Sequence, residues 1–342
     1  MSFRFLKYGL AFVLPLTAWL SFSSNGWITF LPLIYAFVLL PILELIIGER
    51  TAFYSELQKE VMRKEMAYDV LLYLMVPIQW FSLVWFIVGI SLESLETYEI
   101  VGRTSAMGLL CGVIGVNVAH ELGHRQPAFD RFMSRCLLAS TSFLHFYIEH
   151  NRGHHRNVGT DNDPASAKRG EGLYTFWVRT VRDSFFSAWR IAANEQQRKK
   201  KSVWSLSNEM IQYLLIEIGI ILSITFFAGW FAGILFIICS LIGILLLEGI
   251  NYIEHYGLRR TKVSEFRFED VQPEHSWNSN HLISRLVLFE LTRHSDHHMF
   301  PQKKYQVLDN PREYRQLPTG YAGMLILSLI PPLWRKIMDP RI

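Results

Sequence analysis

The chain has 342 residues, half of them hydrophobic and 14% aromatic, with a formal charge of +4. The apolar residues come in long runs and the mean hydropathy is positive, which argues against a water-soluble domain and for a membrane protein. The charge is small and no nucleic-acid-binding module is present, so the lysines and arginines read as membrane-orientation signals. The length allows one large domain or two small ones. One integral-membrane domain over residues 1–342 is expected. Cys111, Cys136 and Cys239 form no C-x-x-C pair, which argues against a disulfide scaffold, an iron–sulfur centre or a fused rubredoxin.

The first apolar run follows Arg4 and Lys7, but no small-residue cleavage site ends it and a second run begins almost at once. A helical hairpin is expected, roughly 5–23 and 27–47, turning at Ser23-Ser24-Asn25-Gly26. Residues 51–69 are polar and charged. Further spans are expected at roughly 70–92, 100–122, 208–228 and 230–250, the last two joined by a tight turn at Ala228-Gly229. The segments 123–207 and 251–342 are mostly hydrophilic. The apolar stretch Met324 to Leu333 is interrupted by Pro331-Pro332 and reads as a packed or interfacial helix.

Lysine and arginine are absent from the loops after the first, third and fifth spans and crowd the other side. The positive-inside rule therefore places both termini in the cytoplasm. Arg103, near the outer end of the fourth span, is expected to snorkel. This topology puts all nine clustered histidines on the cytoplasmic side.

Eight of the nine fall in three clusters: His120-Glu-Leu-Gly-His124; Glu149-His150-Asn-Arg-Gly-His154-His155; and His294-Ser-Asp-His297-His298. On a helix, residues four apart share a face, so His120 and His124 can face one ion, as can His150 and His154. His155 points about 100° away from His154 and could reach a second ion. His294, His297 and His298 repeat the logic with a three-residue step. Paired histidines with an adjacent third, twice over, suggest two metals. Imidazole suits iron, zinc, copper or nickel, and nine imidazoles exceed the four ligands of a structural zinc site. Glu121, Glu149, Glu254 and Asp296 each sit beside a histidine and could orient a ring or ligate. His255, at the end of the sixth span, reads equally well as a ligand or as a structural hydrogen-bonding group. His145, His275 and His281 fall outside the pattern and are expected to be structural or supporting, His281 being the strongest exception.

His-Glu-x-x-His by itself resembles a zinc protease helix, but the two further clusters on the same face argue against that. A metal transporter would carry ionisable residues along its spans, whereas these sit at one mouth. A metal-storage tract would not show fixed local spacings.

Together with Asn251-Tyr-Ile-Glu-His-Tyr-Gly-Leu258, the three clusters resemble those of the membrane alkane 1-monooxygenases, within the histidine-rich integral-membrane hydroxylases and desaturases. The likeness extends to Val158-Gly-Thr160, Asp163-Pro-Ala-Ser166 and Ser276-Trp-Asn-Ser-Asn-His281. Thr292, Met299 and Phe300 depart from the usual pattern around the last cluster.

The resemblance implies an all-α, desaturase/hydroxylase-like bundle of six transmembrane helices with a cytoplasmic helical cap holding a di-iron site. It carries over eight ligands, His120, His124, His150, His154, His155, His294, His297 and His298, and matches His255 to an additional ligand. It implies two iron ions and O2-dependent terminal hydroxylation of medium- to long-chain n-alkanes drawn from the bilayer. Electrons would come from rubredoxin and its NAD(P)H-dependent reductase, at a bacterial inner membrane. A hydroxylase of xylene-type aromatic methyl groups, or an acyl-lipid desaturase or hydroxylase, is the alternative. An alkane has no polar handle, so its site must select by shape. Tyr35, Phe37, Trp80 and Trp85 are candidate walls of such a channel.

Overall fold

The structure, a computed structural model, describes residues 3–51, 53–265 and 267–342. Six of its helices are long and apolar enough to cross a membrane. They are α1 (Phe3–Phe22), α2 (Gly26–Ile47), α4 (Met66–Leu92), α5 (Thr97–Gly123), α9 (Glu209–Ala228) and α10 (Trp230–His255). Between α2 and α4 lies the short amphipathic α3 (Glu56–Lys64), started by a Ser55–Gln58 capping box. The turns predicted at Gly26 and Gly229 are present, each glycine at positive φ, where a side chain would be strained.

Helix α5 is the hub. Nearly all of it is buried, whereas α2 and α9 leave most of their surface to lipid. It meets α10 at small residues: a Cβ on Gly243 would lie 2.6 Å from the Cβ of Cys111 and 2.9 Å from the backbone nitrogen of Gly112. Without a hydrophobic drive between helices in lipid, such close backbone approach supplies the dispersion that holds them together. Both helices carry their last histidine, His120 or His255, to the same end of the bundle.

That end is covered by α6 (Ala128–Ala139), α7 (residues 145–157), α8 (Leu173–Arg198), α11 (Leu282–Val287), α12 (His294–Met299), α13 (Tyr321–Ser328) and α14 (Pro331–Met338). Pro331 and Pro332 open α14, in the first turn where a missing N–H costs nothing. A two-stranded hairpin, β1 (Lys262–Ser264) with β2 (Arg267–Phe268), is a small departure from the expected all-helical fold. Arg103 corrects another expectation. It does not snorkel but is buried, 2.8 Å from Glu93 and donating to the Ser24 carbonyl. The loops at the far end fold over it, so its charge is paired inside the protein.

Candidate metal centre

The nine histidines meet in two groups at the base of the cap, seven of them buried and His124 and His155 half-buried. His120, His124, His150, His155 and His297 form one; His154, His255, His294 and His298 form the other. Within each group, one ring nitrogen per residue lies within 4.8 Å of all the others. Nε2 atoms face each other at 3.0 Å (His124–His150), 3.1 Å (His150–His155) and 3.2 Å (His155–His297) in the five-membered group. In the four-membered group the distances are 3.1 Å (His255–His294) and 2.9 Å (His294–His298).

The local backbone explains this partition and corrects the sequence reading. His150 and His154 were expected to share an ion, with His155 turned to another. Residues His150–His154 instead form a π turn, so His150 joins His155, and His154 falls into the other group. A π turn is rare within a helix and is frequent at functional sites. In α12 the pair is His294 with His298, four apart, and His297, about 100° away, crosses to the five-membered group. The three-residue pairing is therefore replaced by a four-residue one.

Each helix that delivers a ring is anchored. Arg125, after α5, binds Asp69 on α4 at 2.8 Å and Glu121 at 3.0 Å. The Ser276–His281 stretch clamps the start of α12: Asn278 accepts from the Ser295 N–H at 2.8 Å and donates to the Ser295 hydroxyl at 2.7 Å. Thr292 donates to the Ser279 carbonyl at 2.8 Å, and so ties the same stretch. Glu290 accepts from Arg285 at 2.7 Å and from the Tyr8 hydroxyl at 2.8 Å, which fastens the approach to α12 onto α1. Burial alone would raise Glu290, but Arg293 and Arg285 hold it at about 2.

Burial, reinforced by the neighbouring rings, holds His124, His150, His155, His294, His297 and His298 well below the ordinary histidine pKa. Each is thus a neutral imidazole with a lone pair to give. For His154 burial opposes protonation, yet Asp163, 3.0 Å from its Nδ1, outweighs it and raises the value. That carboxylate fixes the tautomer and leaves the His154 Nε2 lone pair directed inward. The Nε2 atoms of His120 and His154 are buried with no hydrogen-bond partner among the described residues. Ring nitrogens that converge in this way, most of them neutral and two with no partner, fit a bound cation of the imidazole-loving kind.

Asp163, which holds a ring of the candidate site, was missed by spacing arguments, since it lies outside every histidine cluster. Its signal was the Asp-Pro-Ala-Ser run, where Asp163 accepts from Ala165 N–H and the Ser166 hydroxyl. Of the four carboxylates expected beside rings, Glu254 reaches one, 3.2 Å from His294 Nδ1. Glu121 binds Arg125 and the Tyr305 N–H, and Asp296 binds Lys303. Glu149 packs against Gly153, and burial with nearby Asp163 pushes it up to about 8. His145 sits between Phe143 and Phe185, His275 beside Glu269, and His281 beside Ser279; none joins the two groups.

An apolar cavity of about 90 Å³ lies in the bundle beneath the site. Tyr35 and Phe37 line it, as expected. Trp80 and Trp85 do not: Trp80 donates to the Cys136 carbonyl, and Trp85 packs against Trp19 and Phe22. Asn117 and Leu291 border both this cavity and a small pocket that contains His120 and His297.

The fatty acid desaturase family profile matches residues 100–325, which hold all nine histidines. The alkane 1-monooxygenase of Pseudomonas putida is 39% identical, covering 95% of this chain and 81% of its own. Alkane 1-monooxygenase 2 of Pseudomonas aeruginosa is also 39% identical, covering 99% and 93%. The chain belongs to the alkane 1-monooxygenase family. It is a multi-pass membrane oxidoreductase with a metal centre. The hydroxylase component of a xylene/toluene monooxygenase from Pseudomonas putida is a more distant relative, 30% identical over 71% of this chain and 64% of its own. The alkane 1-monooxygenases thus share more of the chain, at higher identity, than the xylene/toluene monooxygenase component.

Proposed function

We propose that the protein hydroxylates the terminal methyl of medium- to long-chain n-alkanes, with two iron ions, one in each histidine group. The observation that carries this reading is the gathering of nine imidazoles, seven buried and two half-buried, split five and four, with Asn117 and Leu291 between an apolar cavity and the rings of His120 and His297. His120, His124, His150, His155 and His297 would hold one ion; His154, His255, His294 and His298 would hold the other. Bound iron supplies O2 activation and oxygen insertion. The balance is R–CH3 + O2 + two electrons + two protons giving R–CH2OH + H2O.

The chain's own residues do the rest. The cavity wall, built from α1, α2, α5, α10, α11 and α13, offers shape and almost no polar surface, as an alkane requires. Burial of the rings keeps water from the reacting end. Asp163 fixes the His154 tautomer, and Glu254 lies beside the His294 ring. Residues 1–342 act as one domain in a bacterial inner membrane, with both termini and the centre cytoplasmic. The lysine and arginine asymmetry supports this orientation.

The two electrons come from rubredoxin and its NAD(P)H-dependent reductase. A polar cleft of about 840 Å³ on the cap supports a docking carrier. Eight lysines and arginines line it against four aspartates, a balance that favours an acidic protein. Asp163 forms part of the cleft and binds His154, so the route inward is one side chain long.

The test is turnover by purified protein with rubredoxin, its reductase, NADH and O2, offered n-alkanes of graded length and p-xylene. Primary alcohols from the alkanes, dependent on His154, are expected. Conversion of p-xylene alone would shift the substrate class, and zinc in place of iron would overturn the reading.

A further inference from the structure

Tyr321 touches both the apolar cavity and the support of a histidine. Its ring lines the cavity and is 1% exposed. Its hydroxyl donates to Glu254 Oε1 at 2.8 Å, the only hydrogen bond made by that buried carboxyl among the described residues. The same oxygen lies 3.2 Å from His294 Nδ1, yet off the axis of a hydrogen bond, so this Nδ1 has no aligned partner. The direction of the Glu254 carboxyl is therefore set by one donor, and a small rotation decides whether it grips the His294 ring. The backbone of Tyr321 is pinned, its N–H donating to Ser284 Oγ at 3.1 Å. Movement is left to the ring, whose one side is the cavity.

We propose that Tyr321 is a positioning residue that transmits occupancy of the cavity to the four-histidine group. An alkane seated against the ring turns the hydroxyl, the Glu254 carboxyl follows, and its contact with His294 Nδ1 aligns. A ligand imidazole that gains such a partner becomes a stronger donor. Electron use is thereby tied to the presence of substrate. The inference rests on the reading of the cavity as the alkane site and of the histidines as iron ligands.

The test uses the full-length, ferrous-loaded protein in nanodiscs under argon. Near-infrared magnetic circular dichroism is recorded with and without n-decane, and decane binding is measured separately with labelled decane. In the wild type, decane is expected to shift the ferrous bands. Tyr321→Phe keeps the ring, and it should keep its iron and bind decane equally well. Its bands should not respond. With the donor chain and O2 added, it should show an unchanged KM for decane and a lower yield of alcohol per NADH. Glu254→Gln, which breaks the same link at its other end, should lose the spectral response too, and serves if Tyr321→Phe folds poorly. A full decane shift in Tyr321→Phe overturns the proposal, as does an unresponsive wild type that still makes decanol. A wild type that neither binds decane nor makes decanol removes the hydroxylase reading, and this proposal with it.

Discussion

His150 and His155 bring their Nε2 atoms within 3.1 Å of each other although five positions separate them. The π turn between them is what makes this possible, and it forces His154 into the opposite group. The division of this segment's rings between the two groups follows from that backbone irregularity. His155→Ala should therefore strip one ion and His298→Ala the other. Iron analysis with Mössbauer spectroscopy should show each variant retaining about half its iron, with a different quadrupole doublet missing in each. Loss of both ions from either variant would contradict the partition.

Asp163 is the main hydrogen-bonding support of a ring in the four-histidine group. Asp163→Asn should weaken iron binding there by roughly 10- to 100-fold, measured by competition with a chelator. Asp296→Asn is the comparison, since Asp296 holds Lys303 and the Asp309 N–H rather than a ring. It should lower thermal stability and leave the affinity for iron near that of the wild type.

Val113 lines the cavity within the π turn Cys111–Val116 of α5. Val113→Phe takes up space that a chain would occupy. In an apolar pocket each excluded methylene costs roughly 1–3 kcal/mol, about tenfold or more in kcat/KM. The longest alkanes turned over by the wild type should fall by at least that factor, and shorter ones should change little. A uniform loss across the length series would place Val113 in packing rather than in selection.

Six of the histidines outside the spans have pKa values depressed by burial. Unfolding returns each to about 6.5, so below that pH the unfolded chain binds more protons than the folded one. The stability they contribute is fully present above about pH 6.5 and is lost as pH falls, by up to about 1.4 kcal/mol per pH unit for each group. His154, whose pKa is raised, acts in the opposite sense, but it is one group against these six and against His145, His275 and His281, which burial also lowers. Metal-free protein should show a melting temperature that drops steeply on going from pH 7 to pH 5.5. Saturating iron should raise the whole curve by mass action. A flat profile would mean that the rings are hydrated and titrate freely.

Much of the site was legible because its chemistry is local. Histidines four apart on a helix announce a metal without any knowledge of the fold, and nine of them at one end of apolar spans announce a buried one. Glu254 stood out from its place beside His255, although the ring it lies against is that of His294. The allocation of rings was not readable, because it depends on a π turn, and nothing in Asn151-Arg152-Gly153 separates that turn from an ordinary helix. Asp163 was quoted for its motif but not for its bond to His154, since that contact is made by a loop folding back nine residues later.

By itself, the sequence determined the six apolar spans, the end of the bundle to which the histidines belong, and the family. Those follow from periodicity, composition and short-range spacing, which depend on neighbours along the chain. Only the tertiary structure decided the five-and-four division, the burial of Arg103 against Glu93, the exclusion of Trp80 and Trp85 from the cavity, and the Tyr321–Glu254–His294 connection. Each of these joins residues on different elements, where the partner is set by packing and by the need to satisfy buried polar groups rather than by position in the chain.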